Sequence, residues 1–159
     1  RNNYNFSVYE SFGPDVIGSI KFYGSTINGL GDDDVRISKR INLPSTRIRG
    51  FEYGKIGPKD GNDYVGGNYV TALNFETSLP NLFPESTKLD AGLFLDVGNV
   101  WGVDYDDSID DSNKIRSSVG VNTSWISPVG PMSFILSNNI SKAATDKTES
   151  FNFRLGTTF

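Results

Sequence analysis

The chain has 159 residues, 36% of them hydrophobic and 13% aromatic, with 17 Gly, 11 Phe, 7 Tyr, no Cys, no His and a formal net charge of −4. No run approaches the roughly 20 apolar residues that a spanning helix needs. The missing Cys and His remove disulfides, thiolate metal sites and the commonest general base and metal ligand, and the acidic balance argues against a nucleic-acid partner.

Aromatic richness beside a mean hydropathy of only −0.34 suits strands with one greasy and one polar face, and period-2 alternation recurs along the whole chain. In 4–12, Tyr4, Phe6, Val8 and Phe12 alternate with Asn5, Ser7, Tyr9 and Ser11. In 15–27, Val16, Ile20 and Phe22 alternate with Ser19, Lys21 and Tyr23. In 67–79, Tyr69, Thr71, Leu73, Phe75 and Leu79 share one face, and Asn68, Asn74, Glu76 and Ser78 the other. In 88–101, Leu89, Ala91, Leu93, Leu95 and Val97 oppose Asp90, Gly92, Phe94, Asp96 and Gly98. In 114–126, Ile115, Val119, Val121 and Trp125 oppose Arg116, Ser118, Gly120, Asn122 and Ser124. In 131–140, Met132, Phe134, Leu136 and Ile140 oppose Ser133, Ser137 and Asn139. In 150–159, Phe151, Phe153, Leu155 and Phe159 oppose Asn152, Arg154, Gly156 and Thr158. About seven strands follow, with no helical segment competing.

The connections alternate strictly between short and long. FGPD (12–15), PNLFPES (80–86) and SPVGP (127–131) are turn formers, whereas 28–66, 102–113 and 142–149 are long and polar. Short turns at one end, long loops at the other and strands about twice the ordinary length describe an outer-membrane β-barrel. Aromatics near strand ends, among them Phe12, Phe83, Trp101, Trp125 and Phe159, suit interfacial girdles. A soluble antiparallel domain is the alternative. A sheet in lipid has to close, because an open edge strands backbone N–H and C=O groups without partners. The expectation is therefore an all-β, antiparallel transmembrane barrel, of which residues 1–159 form the C-terminal seven or so strands in one domain.

Five segments, in order, then resemble the BamA-type outer-membrane assembly factors, also known as the bacterial surface antigen family. RIRGF (47–51) is similar to the family's VRGF loop motif, and VGGNY (65–69) to its VGGN segment, with Gly66 and Gly67. GLFLDVGNVW (92–101) looks like its G-x-F-x-D-x-G-x-V-W strand, carrying Gly98 and Trp101. IRSSVGVNTSWISPVGPMSF (115–134) matches its IR…W-x-SP-x-GP signature through Arg116, Gly120, Trp125, Pro128, Gly130 and Pro131. FNFRLGTTF (151–159) looks like its terminal strand, with Phe151, Phe153, Gly156 and Phe159 at the closing seam. The matches span roughly the last six strands; residues 1–30 share only the pattern. The resemblance implies a larger barrel of about 16 strands, preceded by periplasmic POTRA domains.

It also gives RIRGF a place. A loop as long as 28–66 is usually functional or disordered, and folded into the lumen it would need an anion for its arginine. Parity supplies two, Glu76 and Asp96, on the polar side of neighbouring strands. In the family, the loop arginine is understood to latch onto the barrel wall; that role falls to Arg49, with Asp96 as first partner and Glu76 as second. Gly50 allows the sharp turn and Phe51 fills an apolar niche. Arg116 and Arg154 also face inward and are alternative partners for Asp96. Arg47 matches no motif position and reads as a solvated loop cation. DYDDSIDD (104–111) and GDDDV (31–35) read as solvated loops, since their spacing fits no calcium loop.

The resemblance implies a non-enzymatic insertase that folds other outer-membrane β-barrels, without metal or cofactor. Its partners would be the lipid bilayer, unfolded outer-membrane proteins and periplasmic accessory lipoproteins. The alternative is a two-partner-secretion pore of the same superfamily, which shares the loop motif. An outer-membrane enzyme lacks a catalytic set, and a passive porin has no use for RIRGF.

Overall fold

A computed structural model describes residues 1–156. Seven strands form one antiparallel sheet: β1 (Asn2–Ser11), β2 (Ile17–Thr26), β5 (Tyr69–Leu79), β6 (Leu89–Trp101), β7 (Arg116–Ser127), β8 (Gly130–Ser141) and β9 (Phe151–Leu155). Each pairs with the next in sequence, so the sheet is a meander. A two-residue hairpin, β3 (Lys59–Asp60) with β4 (Asp63–Tyr64), lies inside the long connection between β2 and β5. The only helical pieces among the described residues are two single 3₁₀ turns, Ile37–Lys39 and Glu85–Thr87.

Register fixes the faces, because a slip of one residue would turn every side chain over. Asn74 pairs with Asp96 and Asp96 with Ser118; Phe75 pairs with Leu95 and Leu95 with Val119. The first set points toward the long connection, the second away from it. Phe6, Ile20, Phe22, Leu93, Val119, Val121, Leu136 and Phe153 are all exposed on the outer face. An apolar face of that extent marks a membrane or protein contact, and β1, β2 and β5 to β8, of ten to thirteen residues each, are long enough to cross a bilayer.

The buried core lies on the inner face. Ile41, Leu43, Ile48, Phe51 and Ile56 from the long connection pack with Val70, Ala72 and Val100 from β5 and β6. This corrects the expectation that inward-facing residues are polar. Val70, Ala72, Phe94, Val100 and Ile135 all point inward and are buried, because the loop covers them and supplies apolar partners.

Candidate functional site

The loop between β2 and β5 folds against the inner face and is tied down at both ends. Ile27 donates its N–H to the Asn68 carbonyl at 2.9 Å, and Ile41 exchanges two backbone hydrogen bonds with Gly67, at 2.8 and 2.9 Å. Gly67 sits against Trp101, where an added Cβ would come within 2.4 Å of the Trp101 carbonyl oxygen. Between those anchors the RIRGF tip reaches the middle of the sheet.

There Arg49 meets both inward acids. Its Nε and Nη2 donate to the two Asp96 carboxylate oxygens at 2.7 Å each, and its backbone N–H donates to Oδ2 at 2.9 Å. Nη1 lies 2.6 Å from Glu76 Oε1, whose other oxygen is paired with Lys21. Asn74 adds a bond to Asp96 Oδ1 at 2.8 Å and another to the Arg47 carbonyl at 2.9 Å. The Asp96 side chain is fully buried and that of Arg49 is 7% exposed. Paired, bidentate geometry is what makes such burial tolerable. Desolvation alone would lower the Arg49 pKa; the hydrogen bonds and charge of Asp96, then Glu76, outweigh it and move it upward. The guanidinium is a permanent cation here.

The rest of the tip is held by backbone contacts. Ser118 Oγ donates to the Arg49 carbonyl, and Asn139 Nδ2 donates to that of Gly50 at 2.9 Å. Gly50 adopts φ 88°, and a Cβ there would lie 3.0 Å from Ser137 Oγ. Both its conformation and its surroundings call for glycine. Phe51 is buried in the apolar cluster and bridged to Thr148.

Other arginines depart from the sequence reading. Arg47 is half-buried, donates to Asn5 Oδ1 at 3.2 Å and lies 5.4 Å from the Tyr23 ring centroid. It is no solvated cation, because the loop leans onto the inner faces of β1 and β2. Arg116 pairs with Asp146, through Nε at 2.9 Å and Nη2 at 3.1 Å, and not with Asp96. Arg154 reaches Asn152 Oδ1 and Ser45 Oγ, each at 3.2 Å. Asp104, in the supposedly solvated acidic loop, pairs with Arg40 and accepts the Val35 N–H at 3.0 Å. Asp106, Asp110 and Asp111 each accept the N–H of the second residue after them, closing local turns.

The remaining motif positions scaffold this arrangement. Gly98 lies under Leu43, and Gly120 under the Phe94 ring. Trp101 stacks on Tyr69 with centroids 5.7 Å apart. Trp125, Pro128, Gly130 and Pro131 flank the tight β7–β8 turn, where Ser127 Oγ donates to the Gly130 carbonyl at 2.7 Å. Gly66 is in the left-handed region just before β5. Phe151 and Phe153 are on the outer face of β9, the latter 5.3 Å from Phe134, and Gly156 donates to the Pro131 carbonyl at 2.8 Å. Phe159 lies outside the described residues.

Parity did not single out Lys21, Phe94, Ser118 or Asn139, although all four stand on the inner face, where Phe94 pairs with Glu76, Ser118 with Asp96, Lys21 with Asn74 and Asn139 with Ser118. Asp146 gave no signal, because it lies in a loop without periodicity.

The Omp85 superfamily domain matches residues 1–159. The chain is 33% identical over 143 residues to the outer membrane protein assembly factor BamA of Neisseria meningitidis, covering 70% of this chain and 17% of that protein. It is 29% identical over 151 residues to BamA of Neorickettsia risticii, covering 93% and 20%. The crystal structure of Haemophilus ducreyi BamA lacking POTRA domains 1–3 superposes with a TM-score of 0.83 at 26% identity, over 95% of this chain and 33% of that one. The chain thus spans about a fifth of the length of these curated relatives.

Proposed function

The chain belongs to the Omp85 superfamily, and from that premise we propose that its sheet is part of the barrel of an outer-membrane protein assembly factor. It is an integral β-barrel segment of the Gram-negative outer membrane. The activity is non-enzymatic: the protein lowers the barrier to folding and inserting other outer-membrane β-barrels. Unfolded outer-membrane proteins are its substrates, and periplasmic lipoproteins its accessory partners.

The observation that carries this reading is the gripped loop tip. A passive pore gains nothing from burying a guanidinium against two carboxylates in the path through its sheet. An assembly factor needs a rigid inner wall, and the loop held through Arg49, Asp96 and Glu76 supports that reading.

The test is Arg49→Ala in the full-length protein, reconstituted in lipid vesicles with an unfolded β-barrel substrate. The reading expects substrate folding to slow at least tenfold while the barrel itself remains assembled. Full-rate folding by that variant overturns it. Ion conductance with substrates crossing the membrane, and none remaining in it, would favour the secretion pore.

A further inference from the structure

After β8 the chain does not turn straight back into β9. Residues 142–150 cross the inner face and lie beside the loop tip as an antiparallel strip. Phe51 is bridged to Thr148; Glu52 donates to the Lys147 carbonyl at 3.1 Å, Lys147 to that of Lys55 at 3.0 Å, and Glu149 to that of Gly50 at 3.0 Å. These bonds to the tip are backbone to backbone; side chains add to them, with Ser137 Oγ donating to the Glu149 carbonyl at 3.1 Å, Asn152 Nδ2 to Glu149 Oε2 at 2.8 Å and Tyr64 Oη to the Thr145 carbonyl.

The strip's fully buried, charged fastening is Asp146. Its carboxylate is fully buried, takes both Arg116 hydrogen bonds and accepts the Ala143 N–H at 2.6 Å. Arg116, also fully buried, is held from its other side by Asn99 Oδ1 at 2.7 Å and the Ser112 and Lys114 carbonyls at 2.9 and 2.8 Å. It stands at the first position of β7, two residues from Ser118, which grips the Arg49 carbonyl. Breaking a buried pair leaves the remaining charge without a partner, so this contact is kept or lost as a unit.

We propose that the Arg116–Asp146 pair is a positioning element for Arg49: it holds segment 142–150 across the RIRGF tip, so the tip leaves the sheet only when that pair opens. The inference deepens the functional reading above, since it names what controls release of the same loop. Coupling here has a physical carrier, a backbone strip with a buried ionic fastening, rather than spatial proximity alone.

Backbone hydrogen exchange of the full-length protein in lipid vesicles tests it. Asp146→Asn keeps the shape of the side chain and removes its charge. The expected result is exchange at least tenfold faster in both 142–150 and 47–55, with β5 and β6 unchanged. Joining the strip by Glu52→Cys and Lys147→Cys, which face each other in the bridge register, should restore protection of 47–55 in the Asp146→Asn background. Protection of 47–55 that survives Asp146→Asn overturns the proposal. So does an equal loosening of β5 and β6, failure of the two cysteines to join, or a joined strip that restores nothing. Substrate folding by Arg49→Ala is read separately. If that variant works at full rate the functional reading falls, while the exchange data still decide the coupling.

Discussion

The Arg49 guanidinium carbon lies 3.8 Å from the centroid of the Phe94 ring, so the cation is held edge-on by Asp96 and face-on by an aromatic. Phe94 is 2% exposed, and desolvated contacts of this kind are worth about 2 kcal/mol. The ring in turn rests on Gly120, where a Cβ would come within 2.6 Å of its Cζ. Phe94→Leu keeps an apolar side chain and removes the π face. We expect the loop tip to be destabilised by about 1–2 kcal/mol, measured as increased proteolysis of 47–55, with the heat-modifiable barrel retained.

Arg49→Lys tests the geometry against the charge. A lysine ammonium is a point donor and cannot span both Asp96 oxygens and Glu76 as the planar fork does. If charge alone mattered, the substitution would be neutral. The bonds at 2.7, 2.7 and 2.6 Å predict instead a loss approaching that of Arg49→Ala, which strands a buried carboxylate at a cost of about 3–5 kcal/mol. Loop protection measured on the two variants side by side decides between them.

Much of this site was legible in the sequence, and the reason is specific. Strands of ten or more residues with one lipid face carry a strong period-2 signal, so Asp96 and Glu76 could be placed on one side before any coordinates. That counting left open which acid Arg49 takes, and the structure has it on both. What parity could not reach was the loop's own fold. Ile41, Leu43, Ile48 and Ile56 stand in a stretch without alternation, and their partners Val70, Ala72 and Val100 are inward residues that a polar-lumen rule misreads. Arg116 was visible as a motif residue, but its partner Asp146 stands in an aperiodic turn, where only three-dimensional contact can name it.

Acid should release a different anchor. The Asp104 carboxyl lies outside the strands. Burial alone would raise its pKa, but the Val35 N–H, then the Asn68 and Arg40 contacts, hold it below the usual aspartate value of 3.8. A depressed folded-state pKa stabilises above the unfolded value and is lost as pH falls through the folded one. The contribution is therefore full above about pH 4 and disappears below it. Because Asp104 is largely solvent-facing, the effect stays within about 1 kcal/mol. The protection of residues 35–40, taken relative to the intrinsic exchange rate at each pH, should fall as pH drops from 5 to 3, and Asp104→Asn should abolish that fall while leaving 47–55 untouched.

The apolar cluster offers a way to separate anchoring from grip. Leu43 is 2% exposed and packs over Gly98, where an added Cβ would lie 2.9 Å from its Cδ2. Leu43→Ala removes core volume from the loop without touching Arg49, Asp96 or Glu76, at a cost of about 2–5 kcal/mol. If the arginine pair alone fixes the loop, residues 47–51 should keep their protection and only 41–46 should loosen. If the cluster and the pair act together, protection is lost along 41–56 and the combined Leu43→Ala, Arg49→Ala protein is little worse than either single variant. The shared packing favours the second outcome: Ile48 and Phe51, in the same cluster as Leu43, flank Arg49 and Gly50 directly. A double-mutant cycle on loop protection reads the coupling, which for residues sharing one packed cluster runs to about 0.5–3 kcal/mol. Strict additivity would show that the tip is held by its ion pair and that the apolar face only fills space beneath it.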